Sequence, residues 1–336
     1  MGRQYDDVHR DLAGSHASVA PHAVRNHIMR TCLYRATLLT VPLLIAALPS
    51  HATEGASGLY LLGGQSLNAG LTPAPGWYAS LAGVQYSGSV GGSIQGGVRV
   101  VELKKRSDSF SGVLLYAPRT KFLGGQLAFS VGMPYAYLRL SGEVGGAVTR
   151  QRSVSGTGRG DTSIGSRLGW QVSPVFTHAI ALTLWAPTGE YAKGFTPSIG
   201  HHRWAGDITW AFTYVPGGHH TELSAAIGYG VNGPNTVTHY RSGDEVHLEL
   251  GIGQRLTPRF EVGLAGYVYR QVSADSGIGA FLGPLEGRVN GAGPAVNYAF
   301  KVGTHGLALT ARYYHEFDAK RHFQGDLALA SATFRF

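Results

Sequence analysis

The sequence contains two pairs of adjacent histidines, a residue type that could indicate a metal site. His201-His202 and His219-His220 are neighbours in the chain, whereas two metal ligands on one strand must stand two residues apart to share a face. No cysteine or carboxylate spacing accompanies either pair. We therefore interpret them as solvated histidines of loops and turns, and the sequence predicts no metal and no cofactor.

The sequence also gives little support for a nucleophilic active site or for a phosphate-binding site. The Gly-x-Ser-x-Gly pattern of serine hydrolases is absent, and Asp275-Ser276-Gly277 has no obvious base beside it, so we interpret it as a turn. The glycine-rich string Gly156-Thr-Gly-Arg-Gly160 would need a following helix to bind phosphate, but an alternating strand pattern follows it. Asp161 is expected to organise a loop there by accepting backbone hydrogen bonds. The sequence predicts a protein that is not an enzyme.

The elements that position the side chains are strands. After Ala52 no helical periodicity is found, and alternating segments are separated by turn signals. Short and long connections alternate between the segments, an asymmetry typical of outer-membrane barrels. The weakest stretch is 88–109, where a strand could begin earlier than position 108. The expected strands are 77–88, 108–118, 125–141, 160–172, 176–187, 203–214, 221–230, 245–256, 260–272, 288–299, 305–317 and 325–336, and the expected long loops are 142–159, 188–202, 231–244, 273–287 and 318–324.

Within these strands apolar side chains share one face and charged side chains the other. A charge facing lipid costs about 2–4 kcal/mol at mid-bilayer, so the charged face must line the lumen. Two roles are open for these charges: mutual Arg–carboxylate pairing that fills the lumen, or a constriction that selects solutes. The lumen set is Arg167, Arg203, Asp207, Glu222, Glu249, Arg312 and Glu316. The predicted fold is all-β, a transmembrane antiparallel up-and-down β-barrel of about twelve strands spanning 77–336.

Both ends of the sequence indicate export. The last strand alternates to the final residue, with Phe334 and Phe336 on its lipid face, and a terminal aromatic there is the usual signal for the barrel-assembly machinery. Residues 29–52 combine a basic segment, an apolar run too short to span a bilayer and a small-x-small cleavage site, as in a signal peptide. Residues 1–28 are interpreted as a non-native upstream extension. Residues 53–76, with Gly and Pro, form a leader or plug segment.

Composition narrows the class of protein further. The only cysteine, Cys32, lies in the signal segment, so the mature chain forms no disulfide. Beyond residue 52 there are 23 Lys and Arg against 17 Asp and Glu without a long basic run, which disfavours nucleic acid as a partner. Charged residues make up 14% of the chain, fewer than in most soluble domains. The expected partners are outer-membrane lipid, the barrel-assembly machinery and a small solute, in the outer membrane of a Gram-negative bacterium.

Several motifs in a fixed order resemble one protein family. They are Gly158–Trp170, Trp185–Tyr191, Asn235–Asp244, Tyr269–Gly277 and Glu316–Arg321. The sequence from about Thr53 to Phe336 is similar to outer-membrane proteins labelled for the meta-pathway of phenol degradation and often called transporters.

The resemblance implies an outer-membrane channel and carries no established functional residues. In the leader, Pro73-Ala-Pro-Gly76 stands where the family is expected to have a run of prolines. We predict passive uptake of small, aromatic or weakly apolar solutes. A lipase-like barrel enzyme and a structural or adhesive barrel are the alternatives.

Overall fold

The computed structural model describes residues 58–91, 94–95, 98–145, 150–191, 197–216, 220–277 and 286–336. The upstream extension, the signal peptide, the first residues of the leader and His219 lie outside the described residues. In the part of the chain that is described, no helix is long and apolar enough to cross a membrane.

Twelve strands of the described residues form a closed antiparallel barrel. They are β1 (Gly76–Gly91), β2 (Val98–Ala117), β3 (Gly125–Gly145), β4 (Thr162–Ser173), β5 (Phe176–Ala186), β6 (Ala205–Tyr214), β7 (Thr221–Asn232), β8 (Glu245–Thr257), β9 (Phe260–Gln271), β10 (Arg288–Val302), β11 (His305–Lys320) and β12 (Gln324–Arg335). Each strand pairs with its neighbours in sequence, and β12 closes the barrel on β1. The predicted fold class and strand number are confirmed.

One side of the barrel is taller than predicted. β2 and β3 contain 20 and 21 residues, whereas a membrane-spanning strand needs about 9–11. Residues Arg150–Arg159 form a further strand that continues the pairing of β4 with β3. The predicted loop at 142–159 is therefore wrong. Its polar residues continue the ladder, because β3 also extends and the backbone groups of both segments satisfy each other.

The strands alternate between the two faces of the barrel wall. Outward side chains such as Leu81, Ile208 and Leu264 are at least half exposed, as expected for a surface that lipid covers. Phe334 and Phe336 also lie on the outer face, with their ring centroids 6.1 Å apart. Inward side chains are mostly buried, so the core of this protein is its lumen.

The two ends of the barrel differ. At the short-turn end, tight connections join β4 to β5, β8 to β9 and β10 to β11. β1 begins and β12 finishes at this end. At the long-loop end, longer connections join β5 to β6, β7 to β8 and β9 to β10. These two names are used below.

Candidate functional site: a leader segment in the barrel lumen

Residues 58–75, the described part of the leader before β1 and called the leader below, run through the barrel lumen. At the short-turn end, Arg335 Nη2 donates a hydrogen bond of 2.8 Å to Pro75 O. At the long-loop end, Leu59 packs against Trp185 and Ala205, which lie where β5 finishes and β6 begins. The leader therefore passes from one end of the lumen to the other. It has no regular secondary structure, so its backbone groups must find partners on the barrel wall.

Asn68 is the most densely bonded residue of the leader. Its backbone N–H donates to Glu222 Oε1 at 2.5 Å, and its Nδ2 donates to Glu261 Oε2 at 2.8 Å. Its Oδ1 accepts from Arg255 Nη2 at 3.3 Å. Its φ of 57° lies in the left-handed region, which Asn tolerates better than most residues. One leader residue thus satisfies groups from three wall residues.

Two buried arginines of the wall also bond to the leader. Arg167, 1% exposed, donates from Nε to Leu71 O at 3.2 Å, from Nη1 to Gln65 Oε1 at 3.3 Å and from Nη2 to Ala69 O. Arg312 Nε donates to Ser66 Oγ at 3.1 Å. Hydrogen bonds from a charged donor are stronger than neutral ones, so these two residues hold the middle of the leader.

A third group of contacts surrounds Tyr60. Its hydroxyl donates to Glu249 Oε1 at 2.7 Å, and its ring stacks on the His247 ring at a centroid distance of 3.6 Å. His247 Nε2 lies 2.9 Å from Asp207 Oδ2. Glu249 also accepts from the backbone N–H of Gln65 through Oε2, at 2.7 Å.

The close approach of the leader requires glycine at specific wall positions. A Cβ added at Gly251 would lie 2.0 Å from Ser66 O, and one at Gly169 would lie 1.7 Å from Thr72 Oγ1. Both glycines are on lumen-facing stretches of their strands, β8 and β4. Small residues on the wall therefore leave the space that the leader fills.

The lumen wall has two chemically different halves. The polar arc is formed by β4 to β8 together with Glu261 at the start of β9, and it carries Arg167, Asp207, Glu222, His247 and Glu249. The apolar arc is formed by the rest of β9 to β12 and by β1 to β3. Its buried side chains include Val84, Tyr86, Leu138, Leu140, Tyr267, Tyr269, Val289, Tyr314, Leu327 and Leu329.

The leader, like the lumen wall, has an apolar side and a polar side. Its Leu67 is buried in the apolar arc, and Leu61 and Leu62 pack against that cluster. Its Gln65 and Asn68 bond to the polar arc, as described above. The arrangement matches each side of the leader to one half of the lumen.

The described part of the apolar arc contains three buried charges: Arg312, which bonds to the leader, and Glu316 and Lys105 at the level of the long loops. Glu316 accepts hydrogen bonds of 2.7 Å from the hydroxyls of both Tyr86 and Tyr267, and one of 3.0 Å from Gly325 N–H. The Lys105 ammonium lies 4.8 Å from the Tyr86 ring centroid and 5.4 Å from that of Phe323. Tyrosine hydroxyls and aromatic faces thus accommodate Glu316 and Lys105.

All seven residues of the lumen set are buried and face inward, and Glu222 among them accepts the backbone N–H of Asn68. Arg167, Glu249 and Arg312 contact the leader directly, and Asp207 does so through His247. Glu316 lies in the apolar arc and Arg203 precedes β6 at the long-loop end, 2% exposed. Of the two roles left open for these charges, Arg–carboxylate pairing is found for Glu222, which lies 3.2 Å from Arg255. Arg167 donates to oxygens of the leader, and Arg312 donates to Ser66 of the leader and to Asn297 of the wall. Tyr60, Asn68 and Glu261 were missed.

The loop residues considered for chemistry have structural roles. Asp161 accepts backbone hydrogen bonds from Gly189 at 2.9 Å and His201 at 2.8 Å, which confirms its predicted role. Burial would raise the pKa of Asp161, but its hydrogen bonds with His201 and Gly189 lower it overall.

The interpretation of His201 as a solvated residue is wrong, since it is 7% exposed and its Nδ1 lies 3.3 Å from Asp161. Most of the glycine string at 156–160 lies within the strand Arg150–Arg159, and a strand, β4, follows it, as the phosphate-site argument expected. No group of potential metal ligands is found among the described residues.

Comparison with known proteins assigns the family. The family described as "Putative MetA-pathway of phenol degradation" matches residues 91–331. This chain belongs to that family. The match covers most of the barrel and confirms the resemblance noted in the sequence. No curated protein matches the chain.

Solved structures support the same fold. The COG4313 outer membrane channel from Pseudomonas putida F1 aligns with a TM-score of 0.63 at 13% identity, over 80% of this chain and 98% of that chain. The translocator domain of the autotransporter NalP from Neisseria meningitidis aligns with a TM-score of 0.45 at 11% identity, over 79% and 90%. The first of these likenesses shows that this chain shares the barrel fold of the Pseudomonas putida protein.

Proposed function

We propose that this protein is an outer-membrane channel for small aromatic or weakly apolar solutes, and that the leader is its plug. The observation that carries the proposal is that a separate, irregular segment fills the lumen. A barrel of about twelve strands is wider than its own side chains fill. Family membership and the channel fold of the Pseudomonas putida protein support the proposal.

The two arcs supply a physical basis for passage and for closure. Hydrogen bonds between the leader and the polar arc can be exchanged for hydrogen bonds to water, and each is worth only about 0.5–3 kcal/mol net. The leader can therefore leave the polar arc without unfolding the barrel, whose backbone ladder stays intact. The apolar arc then offers aromatic and aliphatic side chains to a solute that is poorly soluble in water.

The alternatives need features that differ from this arrangement. A lipase-like barrel would need a nucleophile with a base at hydrogen-bond distance. A structural or adhesive barrel would need no segment that bonds to both arcs of its lumen. We propose a channel because the plug and the divided lumen both have a purpose in a channel.

The proposed location is the outer membrane of a Gram-negative bacterium, reached through a cleavable signal peptide. Residues 29–52 have the composition of such a signal. Translation is proposed to start at Met29, with Thr53 as the mature N-terminus. Mass spectrometry of the N-terminal peptide of the purified protein tests this, and a mature chain that begins at residue 1 would contradict it.

Conductance of the refolded barrel tests the channel. Deletion of residues 58–74 should raise single-channel conductance in planar bilayers and should let small aromatic solutes enter liposomes faster. Leu264→Ala is the control, because its side chain is 65% exposed on the outer face and touches no part of the plug. Unchanged conductance after the deletion would mean that the wall itself closes the lumen, and the structural alternative would then be preferred.

A further inference from the structure

We propose that the polar arc contains a binding site for neutral phenols and that the Tyr60 side chain occupies it as an internal competitor. The inference rests on the proposed function, since it names the solute class that would displace this part of the plug. Tyr60 is the one aromatic residue of the leader sequence 58–75. Its side chain is itself a phenol, so its contacts show what the wall offers to one.

The wall provides both features that a phenol needs. The His247 ring lies parallel to the Tyr60 ring, at an interplanar angle of 18° and a centroid distance of 3.6 Å. Glu249 Oε1 accepts the hydroxyl at 2.7 Å. Tyr60 also packs against the cluster that contains Trp185 and Ala205. An aromatic face, an apolar edge and a hydroxyl acceptor thus converge on one ring.

The His247 ring, the aromatic face of the site, is held in place by the barrel and does not depend on the leader. His247 is fixed through Nε2 by Asp207 Oδ2 at 2.9 Å, and Asp207 in turn accepts from Thr209 Oγ1 at 2.6 Å. Gly228 gives the imidazole its space, since a Cβ there would lie 2.2 Å from His247 Nε2. A site whose walls are preformed loses little entropy when a ligand replaces the tyrosine.

The charges around the site define the class of ligand. The acceptor Glu249 and the nearby Asp207 favour a neutral molecule that donates a hydrogen bond. An aromatic carboxylate would bring another negative charge beside them and would be rejected. Toluene would leave Glu249 without the donor that Tyr60 now supplies. The site therefore fits a neutral phenol better than either a hydrocarbon or an aromatic acid.

The test uses 4-methylphenol, which is the tyrosine side chain as a free molecule. Calorimetry in detergent compares its binding to the wild type, Tyr60→Ala and Tyr60→Phe. We expect the tightest binding to Tyr60→Ala, and much weaker binding to the wild type and to Tyr60→Phe, because their own rings compete for the site. In Tyr60→Ala, 4-methylphenol should bind about 10-fold or more tightly than toluene, because its hydroxyl replaces the donor that Glu249 loses with Tyr60. Glu249→Gln in the same background should reduce that preference.

Three results would overturn the inference. The first is equal binding of 4-methylphenol to all three proteins, and the second is equal binding of 4-methylphenol and toluene to Tyr60→Ala. The third is that 4-methylphenol binds neither to Tyr60→Ala nor to a further variant, Tyr60→Gly. Tyr60→Gly is included in case the alanine side chain itself closes the space that the tyrosine ring occupied. Because binding is measured without flux, a barrel that binds but does not conduct contradicts only the channel proposal. A barrel that conducts but fails these binding tests contradicts only the phenol site.

Discussion

Asn68 provides the sharpest test of how the leader is held in the lumen. Replacing it by alanine removes the bonds of its side chain to Glu261 and Arg255 but keeps the backbone bond to Glu222. It also puts alanine at a φ of 57°, which glycine adopts without cost. Asn68→Gly is therefore the matched control, because it loses the same side-chain bonds without the backbone strain.

The expected magnitude follows from these contacts. A hydrogen bond to a charged partner contributes about 1.5–3 kcal/mol, and the bond of 3.3 Å to Arg255 belongs at or below the low end. Loss of both bonds should cost the docked leader about 3 kcal/mol. The left-handed backbone adds about 1 kcal/mol for alanine. Since 1.4 kcal/mol is a factor of about ten, undocking should increase roughly 100-fold in Asn68→Gly and roughly 1,000-fold in Asn68→Ala.

A single engineered cysteine measures this equilibrium directly, because the natural chain has no cysteine after Cys32. Ser66→Cys serves as the common background, since Ser66 is fully buried and cysteine has nearly its shape. The rate of labelling by a water-soluble thiol reagent then reports how often the leader undocks. Equal rates in the Ala and Gly variants would refute the strain argument. Rates equal to the background in both would refute the assignment of Asn68 as an anchor.

Three further outcomes are expected. Phe336→Ala should reduce the assembled barrel, measured by heat-modifiable gel mobility, far more than Phe317→Ala, although the two rings are 53% and 46% exposed on the outer face; equal yields would contradict a role in assembly. Burial lowers the pKa of His322 to about 4, whereas a released loop at 321–323 would return it to the ordinary value of about 6.5. Between these two pH values the released loop binds a proton that the packed loop does not. Acidification from pH 7 to 5 should thus weaken the packing of this loop by about 2 kcal/mol and raise the conductance of the barrel. His322→Gln should make the conductance depend less on pH. The same pH dependence in the wild type and in His322→Gln would contradict this prediction. Arg167→Met should speed labelling of the Ser66→Cys protein about 10- to 100-fold, because it leaves buried oxygens of the leader without a donor, whereas equal labelling would show that Arg167 does not hold the leader.

The barrel was predictable from the sequence because its strands repeat a local pattern. Alternation along β11 alone places Arg312 and Glu316 inward and Tyr313 and Phe317 outward, as the structure has them. A charge on the outer face would contact lipid, so the alternation of the strand together with the bilayer determines which face points into the lumen. The height of β2 and β3 was not predictable in the same way, since beyond the bilayer no lipid enforces alternation.

The leader could be recognised as a separate segment but its contacts could not be derived. It has no period, and its partners are far away in sequence: Tyr60 bonds to Glu249 and Ser66 bonds to Arg312. The inward parity of His247 and Glu249 was visible, but nothing local shows which of many lumen groups an irregular segment will choose. That choice depends on the register of every strand between them.

The contacts of the leader change the meaning of the lumen charges. Glu222 and Glu249 each accept a backbone N–H of the leader, and Arg167 donates to its backbone oxygens. In the plugged state these charges thus replace the partners that the leader would have had in a strand, and they are not available to a passing ion. On the proposed channel function, selection by charge begins only after the leader leaves, when the carboxylates of the polar arc face water. We therefore propose that the same side chains serve closure in one state and selectivity in the other, and we expect a substitution in the polar arc to alter both.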